Sequence, residues 1–211
     1  MAIVVVGGHT RNVGKTSVVC RVISAFPENC WTAFKITQFG HGVCSANGEP
    51  CDCETGDHTI AISEERNATS GTDSSRYLAA GAARSLWVRT RQGQLAEAMP
   101  RIRAEIGRSR NVILESNSVL RFLRPDLYLA VLDPTVADFK PSALRYLDRT
   151  DAVLLSGRAS DRPVWTGVAP SIIAGIPTFE LLAPDYWSQE FEQFVRGRLA
   201  KVNPKAAATS A

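Results

Sequence analysis

The chain has 211 residues, enough for one α/β domain, and with 45% hydrophobic and 21% charged residues it can bury a core, which excludes a long disordered protein. No apolar run approaches the roughly 18 residues of a membrane span, and the net charge of +3 comes from scattered Lys and Arg, so neither a membrane nor nucleic acid is the expected partner, while anionic small molecules stay open. Five cysteines, an odd count with three of them crowded between residues 44 and 53, do not make a disulfide framework, and the start Met1 to Val6 is too short and lacks a basic leader, so a reduced, cytoplasmic protein is the expectation.

In chain order, Ile3 to Val6 is a β-branched run that reads as a strand covered on both faces, followed by Gly7-Gly8. Lys15 to Phe26 carries Val18, Val19, Val22, Ile23 and Phe26 at the spacing of one helix face and stops at Pro27. Trp31 to Ile36 is a second strand. Thr37 to Ser70 has no usable periodicity and reads as a Cys-rich insert, about 37–70, without regular structure. The alternation then resumes with a helix Ser74 to Ala83, a strand Ser85 to Arg89, a helix Gln94 to Ile106 and a strand Asn111 to Glu115. Strands Leu127 to Leu132 and Ala152 to Leu155 flank a helix Lys140 to Leu147, and Thr178 to Leu181 adds a strand before the last helix, Trp187 to Leu199. With no repeat and no dividing linker, the expectation is one domain over 1–203, a doubly wound, mostly parallel sheet with helices on both faces, and a disordered low-complexity tail at 204–211.

Between the first strand and first helix stand Gly8-His9-Thr10-Arg11-Asn12-Val13-Gly14-Lys15-Thr16-Ser17. Glycines let backbone N–H groups close on phosphate oxygens, the helix N-terminus adds positive potential, Lys15 suits the β- and γ-oxygens, and the Thr16 hydroxyl suits Mg²⁺. A Gly-Lys-Ser/Thr triplet alone is common; its position at the first strand-to-helix junction makes this a nucleotide phosphate loop, although five residues, not four, separate Gly8 from Gly14.

That five-residue spacing with Val-Gly-Lys-Thr resembles the loop of dethiobiotin synthetases and their SIMIBI-class P-loop NTPase relatives, and Lys35 stands where such proteins carry a lysine at the end of strand two. The segment Gly71-Thr72-Asp73-Ser74-Ser75-Arg76-Tyr77-Leu78-Ala79-Ala80-Gly81-Ala82 is similar to the Lys-Asp-Ser-x-Arg-x-x-x-Ala-Gly-Ala stretch of the molybdopterin-guanine dinucleotide biosynthesis protein B family, and Val112-Ile113-Leu114-Glu115 resembles that family's Val-Glu-Gly strand end, with Ser116 in place of the glycine. The resemblance spans about the first 155 residues and departs at the Cys-rich insert and after Arg158. It implies a specialised relative, a nucleotide-binding accessory of molybdenum-cofactor maturation, with a pterin cofactor or a cofactor-maturation enzyme among its partners.

Other residues carry readings of their own. Glu115, at the end of an apolar strand, reaches the carboxyl edge of the sheet and can hold Mg²⁺; the bland alternative is a solvated strand-end acid. Asp73 and Arg76 share a helix face, so Asp73 can approach the metal while Arg76 reaches an anion, unless they are only a surface ion pair. Lys35 can neutralise a substrate phosphate or carboxylate, or simply extend to water. Cys44, Cys51, Cys53 and His58 supply three thiolates and an imidazole, a donor set for Zn²⁺, but their spacing is not that of a standard knuckle, and reduced loop thiols or a redox role remain alternatives. Cys20 and Cys30 read as core or near-core thiols. In the loop after Leu155, Asp161 can accept from guanine and Arg158 can stack on a base, a weak pointer to GTP over ATP.

Three functions compete: a Mg²⁺-dependent NTP-binding protein, for GTP or ATP, with slow hydrolysis; an ATP-dependent synthetase in which Lys35 holds the activated carboxylate or carbamate; and a metal chaperone whose Cys-rich loop carries the metal. The first leads, because the synthetases use an acid early in the loop where this chain has His9-Thr10-Arg11. A homodimer is compatible with all three.

Overall fold

The computed structural model of the chain describes residues 1–39, 60–157, 163–181 and 183–202. Eight strands form one sheet: β1 (Ile3–Gly8), β2 (Trp31–Phe39), β3 (Ile60–Glu64), β4 (Arg84–Arg91), β5 (Asn111–Glu115), β6 (Leu127–Leu132), β7 (Ala152–Leu155) and β8 (Thr178–Glu180). Their spatial order is β3-β4-β2-β5-β1-β6-β7-β8, and every neighbouring pair is parallel except β3 with β4. Five helices accompany them among the described residues: α1 (Lys15–Ala25), α2 (Asp73–Ala79), α3 (Leu95–Gly107), α4 (Pro141–Leu144) and α5 (Gln189–Val202).

The period of two along the central strands divides the interior. Val4 and Val6 of β1, Ile113 of β5 and Leu127, Leu129 and Val131 of β6 join one core with the apolar faces of α1 and α5; Val5, Val112, Leu114 and Tyr128 join the other with α3. On α1, Val18, Val19, Val22 and Ile23 are the buried positions, the face that the sequence spacing gives. The fold is therefore the expected doubly wound α/β sheet, with the phosphate loop on its first strand-to-helix unit. From β1 the chain winds out to β2, β3 and β4, returns at β5 beside β1, then crosses to β6, β7 and β8 on the far side. Winding reverses at β1, so a crevice opens at the carboxyl ends of the strands there.

Several expectations are corrected. The stretch read as structureless from Thr37 begins inside β2, which runs to Phe39, and contains β3, the antiparallel edge strand at Ile60–Glu64; an edge strand with one partner needs no strong apolar alternation, which hides it from a pattern reading. The helix expected over Lys140 to Leu147 is one turn, Pro141–Leu144, followed by a 3₁₀ turn at Leu147–Arg149, because Tyr146 leaves helical geometry at φ −123°. The second helix ends at Ala79 and the chain turns through Gly81 at φ 101°, and β4 starts at Arg84. The last helix begins at Gln189; Trp187 ahead of it packs on Phe26 and Phe191 as an anchor of the core. Cys30 is exposed, whereas Cys20 is half-buried with its thiol pushed up to about 11 by burial. Among the described residues no helix is long and apolar enough to cross a membrane.

Candidate functional site

The loop from Gly8 to Ser17 is built from its base upward. Asn117, just past β5, clamps Gly8 from the side: its Oδ1 accepts from the Gly8 N–H at 2.9 Å and its Nδ2 donates to the Gly8 carbonyl at 2.8 Å. The His9 N–H donates to the Val131 carbonyl of β6, its carbonyl accepts from the Lys140 N–H at 2.8 Å, and its fully buried ring packs between Phe139 and Trp165. Burial lowers the pKa of that imidazole. The Thr10 hydroxyl donates to Asp138. Gly8 and His9 are thus the foundation of the loop, with backbone groups already engaged; Gly8 still lines the cleft, whereas His9 and Val13 are buried beneath it. The N–H groups with no intrahelical acceptor are those of the first turn of α1, at Lys15 to Ser17.

Helix α1 opens at Gly14, whose φ of 93° lies in the left-handed region, and a Cβ there would fall 2.5 Å from Cε1 of Tyr186. Asn12 also takes a positive φ, 59°, which asparagine tolerates better than most residues. The Lys15 Nζ folds back to donate to the Thr10 carbonyl at 2.6 Å, and burial brings its pKa down to about 8.

Beside the loop lies a carboxylate centre. Glu115, ending β5 next to β1, is only 3% exposed and accepts from the Thr16 hydroxyl at 2.7 Å, from the Tyr77 hydroxyl and from Lys35. The Lys35 ammonium also pairs with Asp73 at 2.7 Å, and so bridges the two carboxylates. Burial would lower the Lys35 pKa, but Glu115 and Asp73 hold it above the usual value; burial would raise that of Asp73, but Lys35 holds it below. The Tyr77 phenol is driven well up by burial and by Glu115. Arg76 reaches the Ser17 hydroxyl at 3.2 Å and lies 3.8 Å from Asp73, so the helix-face pairing expected from the sequence is present.

These groups line one cleft of about 780 Å³ over the carboxyl ends of the strands. It takes in every predicted loop residue except His9 and Val13, together with Lys35, Asp73, Arg76 and Glu115. Thr16, Glu115 and Asp73 offer hard oxygen donors that suit Mg²⁺, a cation that usually takes one or two carboxylates and completes its shell with phosphate oxygens and water. Cys44, Cys51, Cys53, His58 and Asp161 lie outside the described residues; among those described, no group of three or more His, Cys, Asp and Glu is placed to hold a metal by itself. The sequence reading missed Asn117, Asp138, Tyr77, Lys140 and Tyr186. Asn117 and Tyr77 had a local signal, two residues after Glu115 and one turn after Asp73, whereas the others reach the loop only through tertiary contact.

No protein-family model matches the chain, and no curated protein matches it significantly. Among solved structures it is similar to a MobB protein homolog from Bacillus stearothermophilus, at 15% identity over 95% of this chain and 99% of the other, TM-score 0.45. It is also similar to LpxK from Aquifex aeolicus crystallised with ATP (15% identity, 98% and 68% coverage, TM-score 0.47) and to HypB from Helicobacter pylori in complex with nickel (13% identity, 94% and 87% coverage, TM-score 0.47). These are likenesses of fold.

Proposed function

We propose that this chain is a Mg²⁺-dependent nucleoside-triphosphate-binding protein with slow hydrolysis. The observation that carries the reading is the junction of two parts: a glycine loop at the N-terminus of α1 with Lys15, and the Thr16 hydroxyl already set 2.7 Å from the buried carboxylate of Glu115 on the adjacent strand. The loop amides and Lys15 bind the β- and γ-phosphates. Thr16 and Glu115 would hold Mg²⁺, which neutralises phosphate charge as it develops. Asp73 holds Lys35 beside that position, so that an ammonium stands where the terminal phosphate arrives. Among the described residues that line the cleft, the two carboxylates, Glu115 and Asp73, are both engaged by Lys35, which fits slow turnover.

The likeness of the Gly71 to Ala82 segment to molybdopterin-guanine dinucleotide biosynthesis protein B supports an accessory role in cofactor maturation, with a pterin cofactor or a maturation enzyme as partner. The synthetase reading is weaker, because the synthetases use an acid early in the loop where this chain has His9-Thr10-Arg11.

The test is binding of fluorescent GTP and ATP analogues with and without Mg²⁺ to the wild type and Lys15→Ala. The variant should keep its fold and lose at least about ten-fold in affinity for the preferred nucleotide. Wild-type affinity in the folded variant overturns the reading.

A further inference from the structure

Asp73 and Tyr77 stand one turn apart on α2 and reach the carboxylate centre by different routes. Asp73 lines the cleft and pairs with Lys35. Tyr77 does not line the cleft: it is fully buried in the core that holds Val18 and Val22 of α1, and its hydroxyl meets Glu115 from the core side.

The helix that carries the phenol is tethered along its length. Thr72 caps its N-terminus by accepting from the Ser75 N–H at 3.1 Å, the Ser85 hydroxyl of β4 donates to the Ser74 carbonyl at 2.8 Å, and the Tyr77 carbonyl accepts from the Ala82 N–H at 3.0 Å as the chain turns toward β4. The hydroxyl is therefore placed by a fixed element and not by a loop.

Glu115 has three donors, Lys35 on Oε1 and both Thr16 and Tyr77 on Oε2. Lys35 is shared with Asp73 at 2.7 Å, and the Thr16 hydroxyl is offered to Mg²⁺ in the reading above, so each of these two has a second duty. Among the described residues, the Tyr77 hydroxyl has Glu115 as its hydrogen-bond partner. A phenol at neutral pH donates to a carboxylate, which can only accept, so the direction of this bond is set. A carboxylate takes about four hydrogen bonds, so three donors fix both oxygens and leave one acceptor position open. Phe would fill the same core volume with no hydroxyl to satisfy; what the hydroxyl adds is its hold on Glu115.

We propose that Tyr77 is a positioning residue for the metal site: its hydroxyl holds Oε2 of Glu115 beside the Thr16 hydroxyl, so that these two ligands are set for the Mg²⁺ that accompanies a nucleoside triphosphate. The inference rests on the nucleotide reading above and adds to it a residue that acts through Glu115. Partners that orient a metal-binding side chain are typically worth roughly 10- to 100-fold in metal affinity. Tyr77→Phe removes the hydroxyl, keeps the ring in the core and leaves Glu115 its two other donors, so the variant folds.

The experiment uses the full chain and a fluorescent, non-hydrolysable triphosphate analogue. Its affinity is titrated in EDTA and over a Mg²⁺ series for wild type, Tyr77→Phe, Glu115→Gln and the double variant, with a melting curve for each. In Tyr77→Phe the Mg²⁺ concentration at half effect should rise about ten-fold, while affinity in EDTA stays within about two-fold of wild type. In the Glu115→Gln background the same substitution should add less than about a two-fold change, since the carboxylate it acts through is gone. An unshifted Mg²⁺ midpoint in Tyr77→Phe, whatever its melting temperature, makes the phenol a packing group and overturns the inference. An unshifted midpoint in Glu115→Gln, a full shift on top of Glu115→Gln, or a parallel loss of affinity in EDTA also overturns it, because Tyr77 then does not act through Glu115. These outcomes leave nucleotide binding standing. Wild type that binds no analogue, or binds it no tighter with Mg²⁺, overturns both readings.

Discussion

Replacing Glu115 with Gln tests the carboxylate centre most directly, because one atom changes and the shape does not. Glu115 accepts from Thr16 and Tyr77 on one oxygen and from Lys35 on the other. A glutamine can keep its oxygen toward Lys35 only by turning its NH₂ toward the two hydroxyls, which must then rotate to accept. The hydrogen bonds can be remade, but the charge is lost. Removing one partner of a buried ion pair costs about 3–5 kcal/mol when the remaining charge is stranded. Here Lys35 keeps Asp73 at 2.7 Å and its side chain is 21% exposed, so about 2 kcal/mol is expected. For a chain of this size that is a fall of roughly 4–8 °C in Tm. A neutral amide is also a poor ligand for a hard cation, so Mg²⁺-dependent hydrolysis should drop about ten-fold or more while Mg²⁺-free nucleotide binding persists. The assays are thermal unfolding and phosphate release over a Mg²⁺ series. Unchanged melting refutes the ion-pair reasoning, and unchanged hydrolysis makes Glu115 a structural residue only.

Four further outcomes are expected. Nucleotide affinity should be level well below pH 8 and fall about ten-fold per unit above it, since the triphosphate selects the Lys15 ammonium and burial brings that group to about 8 in the free protein; Lys15→Arg should flatten the curve, and a level wild-type profile to pH 9.5 sinks the idea. Folding stability responds to Lys15 with the opposite sign, rising between about 8 and the unfolded value of 10.5, because the unfolded chain there binds more protons. Asn117→Ala should cost about 1–3 kcal/mol in chemical denaturation and weaken nucleotide binding, as it leaves the Gly8 N–H and carbonyl without their partner; an unchanged denaturation midpoint contradicts the clamp. Gly14→Ala should destabilise by about 1–3 kcal/mol, from the left-handed φ and a Cβ that Tyr186 must vacate, and equal stability in urea titration removes that packing from the account.

The fold class and the centre of the site were legible in the sequence because both rest on local signals. Strands such as Asn111–Glu115 and Leu127–Leu132 are short apolar runs with the boundaries the pattern gives, α1 shows its buried face in its spacing, and the loop from Gly8 to Ser17 draws its chemistry from consecutive residues. Glu115 was legible because a carboxylate closing an apolar strand lies at the edge where ligands bind. What those residues do in the folded chain was not legible. His9 reads as part of a phosphate loop and lies in an aromatic pocket; Lys15 and Lys35 read as cations for phosphate or substrate, and each is held by groups distant in sequence or across the loop. β3 was hidden since its pairing with β4, not its own pattern, makes it a strand. Asn117, Lys140 and Tyr186 come 109, 131 and 172 positions after Gly8, His9 and Gly14, the residues they hold or cover. Sequence periodicity decides which face of an element is buried; only closure of the sheet in the order β5-β1-β6 decides which distant side chains meet above it, and so where each charge finds its partner.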